Sequence, residues 1–161
     1  MEPVGYHGLT EDEAFGLYSA VSQLVSTPVT ADENPSGFAF SPVFLRKLSA
    51  LPRIDAVSLA GTSHVKALSK HTDLALGIGS DAVALEGIDA GGTSWYSAIG
   101  GVLPGFSVAL ARARREGDDA RVAKLTASEE PLWELMRRYG DARVAAAIAT
   151  DLPNETPWPS R

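Results

Sequence analysis

"IDAVSLAGTSHVKALSKHTDLALGIGSDAVALEGIDAG", residues 54 to 91, alternates two short apolar runs with two longer amphipathic ones. IDAVSL (54–59) and LALGIG (74–79) have the length and bounding residues of strands, whereas TSHVKALSKH and SDAVALEGIDAG place apolar residues at helical spacing. Successive strands separated by a helix run parallel, because a hairpin needs only a short turn and a parallel return needs a crossover. The stretch therefore predicts two strand-helix units of a parallel sheet with helices on its outside.

The same alternation extends in both directions. Upstream, Thr10 with Glu13 three residues on forms a capping box, and Ala14, Leu17, Tyr18, Val21, Leu24 and Val25 repeat at helical spacing behind it, predicting a helix over about 11–25. TPVTAD (27–32) is a short apolar run closed by the turn signal ENPSG. Ser41-Pro42 pairs an N-cap with proline in the first helical position and opens a helix through VFLRKLSAL. Downstream, TSWYSAI (93–99) reads as a fourth strand and LPGFSVALARARR as its helix. Residues 118–150 read as helical, with EPLWELMRRYG and DARVAAAIATDL as apolar stripes. The tail PNETPWPSR (153–161) is proline-rich and predicted irregular. Four strand-helix units from Pro28 onward in one domain, 1–161, leave two strand edges bare, which invites comparison with the eight strands that close a barrel.

Composition narrows the function. At 161 residues with 45% hydrophobic side chains and a mean hydropathy near zero, the chain can bury a core. A net charge of -6 and a pI near 5.0 argue against a nucleic-acid surface. The one dense basic run, Arg112-Ala113-Arg114-Arg115, stands before Gly117 and suits a helix C-terminus, where cations meet the negative end of the dipole. Cysteine is absent, which excludes disulfides, zinc-thiolate sites and thiol nucleophiles. No apolar run approaches ~18 residues and the first residues are acidic where a signal peptide is basic, so a cytoplasmic location is the expectation.

The register of GGTSWYSAIGGVLP resembles the last barrel strand and following loop of the dihydrodipicolinate synthase and N-acetylneuraminate lyase family, where a Gly-Gly pair precedes the strand and a proline opens the next helix. PVTADENPSG resembles the family's fifth strand with its Tyr-Asn-x-Pro turn, LPRIDAVSLAG the sixth, and LALGIGSDA the seventh with its Gly-Asp-Asp-like ending. LTEDEAFGLYSAV resembles the helix before the fifth strand. The match runs in family order from about Pro3 to Leu152. It implies an α/β fold, the C-terminal half of a TIM (β/α)8 barrel, and a carbon-carbon lyase acting on a 2-oxo acid.

Two departures qualify that implication. The family's first half, with four strands and a Gly-Thr-Thr-Gly-Glu-like motif, has no counterpart in this sequence. The family's sixth strand also carries the lysine that forms a Schiff base, and alignment from Pro52 puts Ser58 there. Only an unprotonated primary amine condenses with a ketone to give the iminium electron sink. Lys47, Lys66, Lys70 and Lys124 all fall in predicted helices, on the outside of such a barrel. The position of the family's proton-relaying tyrosine holds Asp32.

Substrate-pocket candidates are Asp32, Ser58, Gly79, Ser80, Asp81 and Tyr96, and no catalytic residue is assigned. Asp32 is a candidate general base at a strand's carboxyl end; the plainer reading makes Asp32-Glu33-Asn34-Pro35 a solvated turn. Ser58 has no histidine placed to activate it as a nucleophile. Gly79, in GIGSDA, and Gly100-Gly101 either lend backbone N–H groups to an anion or merely allow tight turns. Tyr96 faces the barrel side if Trp95 faces the helices. His64 and His71 share a predicted helix seven residues apart, about 10.5 Å along the axis at 1.5 Å per residue, too far for one metal ion; His7 stands alone. No metal and no cofactor is expected.

Open strand edges and an open barrel interior would expose apolar surface at ~25 cal/mol per Å². A partner is therefore expected, either a chain supplying the first half or a second copy making a homo-oligomer of eight strands, with a small 2-oxo acid as ligand. The expected role is that of a non-catalytic or complementing half-barrel. The alternatives are a lyase completed by a partner chain and a truncated reading frame.

Overall fold

The computed structural model describes residues 1, 3, 7–33, 38–69 and 72–152. The Asn34-Pro35 turn, Lys70, His71 and the tail from residue 153 lie outside the described residues. By its internal contacts the chain forms two compact units, Met1–Tyr96 and Ser97–Arg161.

The first unit is a four-stranded parallel sheet in the order β1 (Val29–Asp32), β2 (Ile54–Leu59), β3 (Ala75–Ile78), β4 (Ser94–Trp95). Consecutive strands are neighbours throughout, the arrangement of a partial TIM barrel. Helices α1 (Glu11–Leu24), α2 (Pro42–Ser49), α3 (Thr62–Leu68) and α4 (Ala84–Asp89) accompany it. α1 begins where predicted, with Thr10 and Glu13 exchanging the reciprocal capping-box hydrogen bonds, and Ser41 Oγ caps α2 by accepting from the Phe44 N–H at 3.0 Å. β2 matches IDAVSL residue for residue.

Register assigns every strand residue to a face. Ala31, Val57 and Leu76 are aligned, as are Leu59, Ile78 and Trp95. These residues form the helix-covered face, where Ala31, Val57, Leu59 and Ile78 are fully buried beside Tyr18, Phe40, Phe44 and Leu48. Tyr18 meets Phe40 and Phe44 edge-on at 6.1 Å, the offset geometry that aromatic quadrupoles favour. The opposite, open face carries Thr30, Ala56 and Ala75 in one row and Asp32, Ser58, Gly77 and Ser94 in the next.

Two expectations need correction. The fourth strand was predicted over 93–99 but ends at Trp95. One further rung forms, Tyr96 N–H to the Ile78 carbonyl, and then Ser97 Oγ accepts the Gly100 N–H at 2.8 Å and turns the backbone into a short 3₁₀ segment, Ile99–Gly101. A serine hydroxyl competing for a local amide is enough to stop a two-residue strand. Second, the inner face is small and polar, so apolar surface there is not what a partner would bury.

The second unit contains α5 (Pro104–Arg115), α6 (Asp119–Ser128), α7 (Glu130–Tyr139) and α8 (Asp141–Asp151). Arg112, Arg114 and Arg115 occupy the last turn of α5, and Gly117 follows at a φ of +72°, as the basic run predicted. The Phe106 and Trp133 rings pack at 5.6 Å within this unit, tilted 47° to each other.

Candidate functional site

Parallel strands of this class present their carboxyl ends to ligands. Here those ends bring Asp32 and Ser58 into register, one rung beyond Thr30. Tyr96 follows β4 on the same face. Its ring lies over Gly77, where a Cβ would meet Tyr96 Cε2 at 2.2 Å, and its hydroxyl reaches the first strand, 3.3 Å from Thr30 Oγ1. Glycine at 77 is thus what lets a side chain cross the sheet.

Met1, Thr30, Asp32, Ser58 and Tyr96 line an open depression of about 180 Å³. Gly79 borders it: a Cβ there would come within 2.7 Å of Ser58 Oγ and 3.9 Å of Asp32 Oδ1. Ser58 is 5% exposed, Asp32 is half-buried, and Tyr96 is 42% exposed. Met1 is tied to β1 through its backbone. Its nitrogen donates to the Thr30 carbonyl at 2.5 Å and its carbonyl accepts from the Asp32 N–H at 2.7 Å and the Tyr18 hydroxyl at 3.1 Å. Bonds to residues on either side of Ala31 are the parallel-ladder pattern, so the outer edge of β1 already carries one rung of a further parallel strand.

Four of the six predicted pocket residues, Asp32, Ser58, Gly79 and Tyr96, therefore meet at one place. Ser80 and Asp81 do not line it. Ser80 precedes the 3₁₀ turn Asp81–Val83, and Asp81 is buried at its start. Tyr96 and Trp95 take opposite sides, as alternation predicted, with the Trp95 indole N–H buried without a partner. The anion-cradle reading of the glycines meets a physical obstacle. The Gly79 N–H is spent on the Leu59 carbonyl at 2.8 Å, the Gly100 N–H on Ser97 Oγ at 2.8 Å and the Gly101 N–H on the Ala98 carbonyl at 3.2 Å.

Sequence reasoning overlooked Glu33. Read as part of a solvated turn, its side chain is 5% exposed and holds two loops together. One carboxylate oxygen accepts the Phe40 N–H at 2.9 Å and the other accepts the Ala60 N–H at 2.9 Å, while its own N–H donates to the Ser58 carbonyl. His64 Nδ1 lies 3.7 Å away. Charge-assisted bonds to two backbone amides fix the loops after β1 and β2, and with them the positions of Asp32 and Ser58. Among the described residues, no group of three or more His, Cys, Asp or Glu could hold a metal ion.

No family model and no curated protein matches the chain. Solved structures do. A dihydrodipicolinate synthase from Agrobacterium tumefaciens is 31% identical, with a TM-score of 0.83 over 93% of this chain and 54% of its own. Two others share the fold at lower identity. A chloride-inhibited dihydrodipicolinate synthase from Acinetobacter baumannii, complexed with pyruvate, is 16% identical with a TM-score of 0.82 over 99% of this chain and 58% of its own. The 4-hydroxy-tetrahydrodipicolinate synthase of Methylacidiphilum fumariolicum is 22% identical with a TM-score of 0.82 over 99% and 57%. The chain spans little more than half the length of these structures and is similar to dihydrodipicolinate synthases over that part. No helix among the described residues is long and apolar enough to cross a membrane.

Proposed function

We propose that this dihydrodipicolinate synthase-like half-barrel does no Schiff-base chemistry and serves as a non-catalytic, complementing half whose open face is finished by another barrel half or a second copy of the chain. The observation that carries the reading is the hydroxyl of Ser58 at the carboxyl end of β2, in register with Asp32 and facing the depression. Imine formation needs a nucleophilic nitrogen, and a serine oxygen gives no iminium to accept electrons from a breaking carbon-carbon bond. Lys47 lies on α2, held by Glu11 at 2.6 Å; Lys66 lies on α3 and Lys124 on α6. None of the three lines the depression.

The edge of β1 supports the complementing role. Residue 1 pairs there in parallel fashion through Thr30 and Asp32, a pattern that a further strand could continue. A soluble location in the cytoplasm suits a chain of this composition.

Borohydride reduction in the presence of pyruvate, followed by mass spectrometry of the intact chain and its peptides, tests the proposal. An authentic Schiff-base aldolase run in parallel should gain the adduct mass and this chain should gain none. A pyruvyl adduct on any lysine of this chain would overturn the reading.

A further inference from the structure

The two edges of the sheet are unequal. β4 offers two strand residues and one further rung at Tyr96, whereas the outer edge of β1 already carries Met1 in the parallel pattern, through the Thr30 carbonyl and the Asp32 N–H. α1 lies over that edge, because the Tyr18 hydroxyl donates to the Met1 carbonyl at 3.1 Å. At about 100° per residue, the two flanks of α1 beside its buried stripe of Ala14, Tyr18 and Ser22 differ in kind. One flank carries Asp12, Ser19 and Gln23 and faces α2: Glu11, next to it, holds Lys47 at 2.6 Å, and the charge of Asp12 also acts on Lys47. The other carries Leu17, Val21 and Leu24 and faces away from α2, on the side of the bare β1 edge. Leu17 is 39% exposed, Leu24 84% and Val21 half-buried. An apolar stripe beside an unpaired strand edge marks a surface built for contact.

Connectivity decides what fits there. Each parallel step in this sheet carries one crossover helix: α2 from β1 to β2, α3 from β2 to β3, α4 from β3 to β4. α1 precedes β1 and lies over its edge, so it holds the crossover place of the next strand outward. A second copy of the chain does not satisfy this. Its β4 runs on into α5, which would assign two helices to one crossover. A twofold pairing of β1 with itself runs the strands antiparallel, or else puts the second α1 on the open face, away from the apolar stripe.

We propose that the β1 edge and the apolar flank of α1 form one interface, which takes a separate polypeptide ending in an amphipathic helix followed by a β-strand. The strand extends the sheet parallel to β1, α1 serves as its crossover helix, and the partner's helix packs on Leu17, Val21 and Leu24. The inference rests on the reading of the chain as a complementing half and narrows the partner to another barrel half rather than a second copy.

The test co-expresses the whole chain, carrying an affinity tag, with fragments of the Agrobacterium tumefaciens dihydrodipicolinate synthase. One fragment is that protein's first half cut after its fourth strand, and the other continues through the next helix. The shorter fragment should co-purify in equimolar amount and the longer one at least tenfold less, because its last helix competes with α1. The double variant Leu17→Asp, Leu24→Asp should recover at least tenfold less of the shorter fragment, whereas Gln23→Asp on the polar flank should retain it. Both leucines are exposed, so circular dichroism should be unchanged, and Leu24→Asp alone, at the 84% exposed position, serves if the double variant fails to fold. The chain by itself should sediment as a monomer. Equal recovery of the two fragments, recovery of neither, or full retention by the leucine variants would overturn the inference. A dimer of the chain alone that the leucine variants disperse would also overturn it while leaving the complementing role intact. A pyruvyl adduct in the borohydride experiment would do the reverse, since it bears on the chemistry and not on the docked partner.

Discussion

The two faces of one sheet, a single residue apart along each strand, have been given opposite compositions. On the helix-covered face stand Ala31, Val57, Leu59, Leu76 and Ile78, all buried under α1 to α4. On the open face stand Thr30, Asp32, Ala56, Ser58, Gly77 and Ser94, polar or small, with one tyrosine drawn across them. A period of two makes this separation possible, since a strand residue belongs wholly to one side. The large buried apolar side chains therefore lie in the helix-covered layer, and the open face contributes few of them.

The sharpest way to break that comparison is to truncate both sides at adjacent positions. Leu59→Ala removes a fully buried side chain from the core and should cost about 2–5 kcal/mol in denaturant unfolding, with the slope unchanged. Ser58→Ala, one residue earlier, removes a hydroxyl that has no hydrogen-bond partner among the described residues and should stay within about 0.5 kcal/mol. Equal losses at the two positions would show that the open face is part of the stabilising core.

Glu33 is where the division is bridged, and it ranks next. Its carboxylate satisfies the Phe40 and Ala60 amides in a 5%-exposed setting, so Glu33→Ala leaves two donors unmet and should cost about 2–3 kcal/mol. The loss should also loosen the open face, since both loops it ties carry residues of the depression at their bases. Hydrogen exchange at the Phe40 and Ala60 amides should quicken in the variant. Unaltered protection at both would mean that the bonds contribute nothing.

Gly77→Ala should act more weakly, chiefly through Tyr96 and to a smaller degree through Ser94 Oγ, 2.8 Å from the new methyl. The new methyl occupies the place of the tyrosine ring, but that ring is 42% exposed and free to swing outward, leaving Thr30. A destabilisation of about 1 kcal/mol is expected from the displaced ring. Most of the effect should disappear when Tyr96→Ala is already present, the remainder belonging to Ser94 Oγ, a non-additivity that a double-mutant cycle measures. A full cost persisting without the ring would place the strain in the backbone.

Much of this was legible before any coordinates. β2 and the start of α1 were placed by patterns that live within a few residues, namely apolar alternation and a reciprocal cap. The open face was misjudged as apolar, although Thr30 with Asp32 and Ala56 with Ser58 fall at every second position of their runs. What stayed hidden depends on distant partners. Nothing local in Asp32-Glu33-Asn34-Pro35 announces that the second carboxylate turns inward to amides seven and 27 residues away. The overlong fourth strand failed for the opposite reason: TSWYSAI carries strand-favouring Thr93, Trp95, Tyr96 and Ile99, but Ser97 settles the matter by accepting the Gly100 N–H. The depression itself needs β1 to β4 to be curved until Thr30 and Tyr96 touch, which no single run of residues encodes.

The smallest effect belongs to the rim of the helix layer and separates it from the open face by pH. Lys47 hydrogen-bonds Glu11 and, with its charge, holds that carboxyl below the usual value of 4.5 against a smaller opposing effect of desolvation, while the Thr10 backbone and hydroxyl do the same for Glu13. A carboxyl whose folded pKa is depressed contributes stability that is complete above its unfolded value and is lost as pH falls through the folded one. The two glutamates should therefore add nothing to the pH dependence near neutrality and steepen the loss of stability below about pH 4.5. Lys47, raised above its usual 10.5 by Glu11, works with the opposite sign and loses its contribution only as pH rises through its folded value. Both pairs are at the surface, so the acid-side difference between the native chain and the Glu11→Gln, Glu13→Gln double variant should be small and should shrink further in high salt. Melting curves from pH 7 to pH 3 measure it. Identical slopes below pH 4.5 in the two proteins would show that the cap and the ion pair are geometry without energy, leaving the buried face to account for the stability of the helix layer.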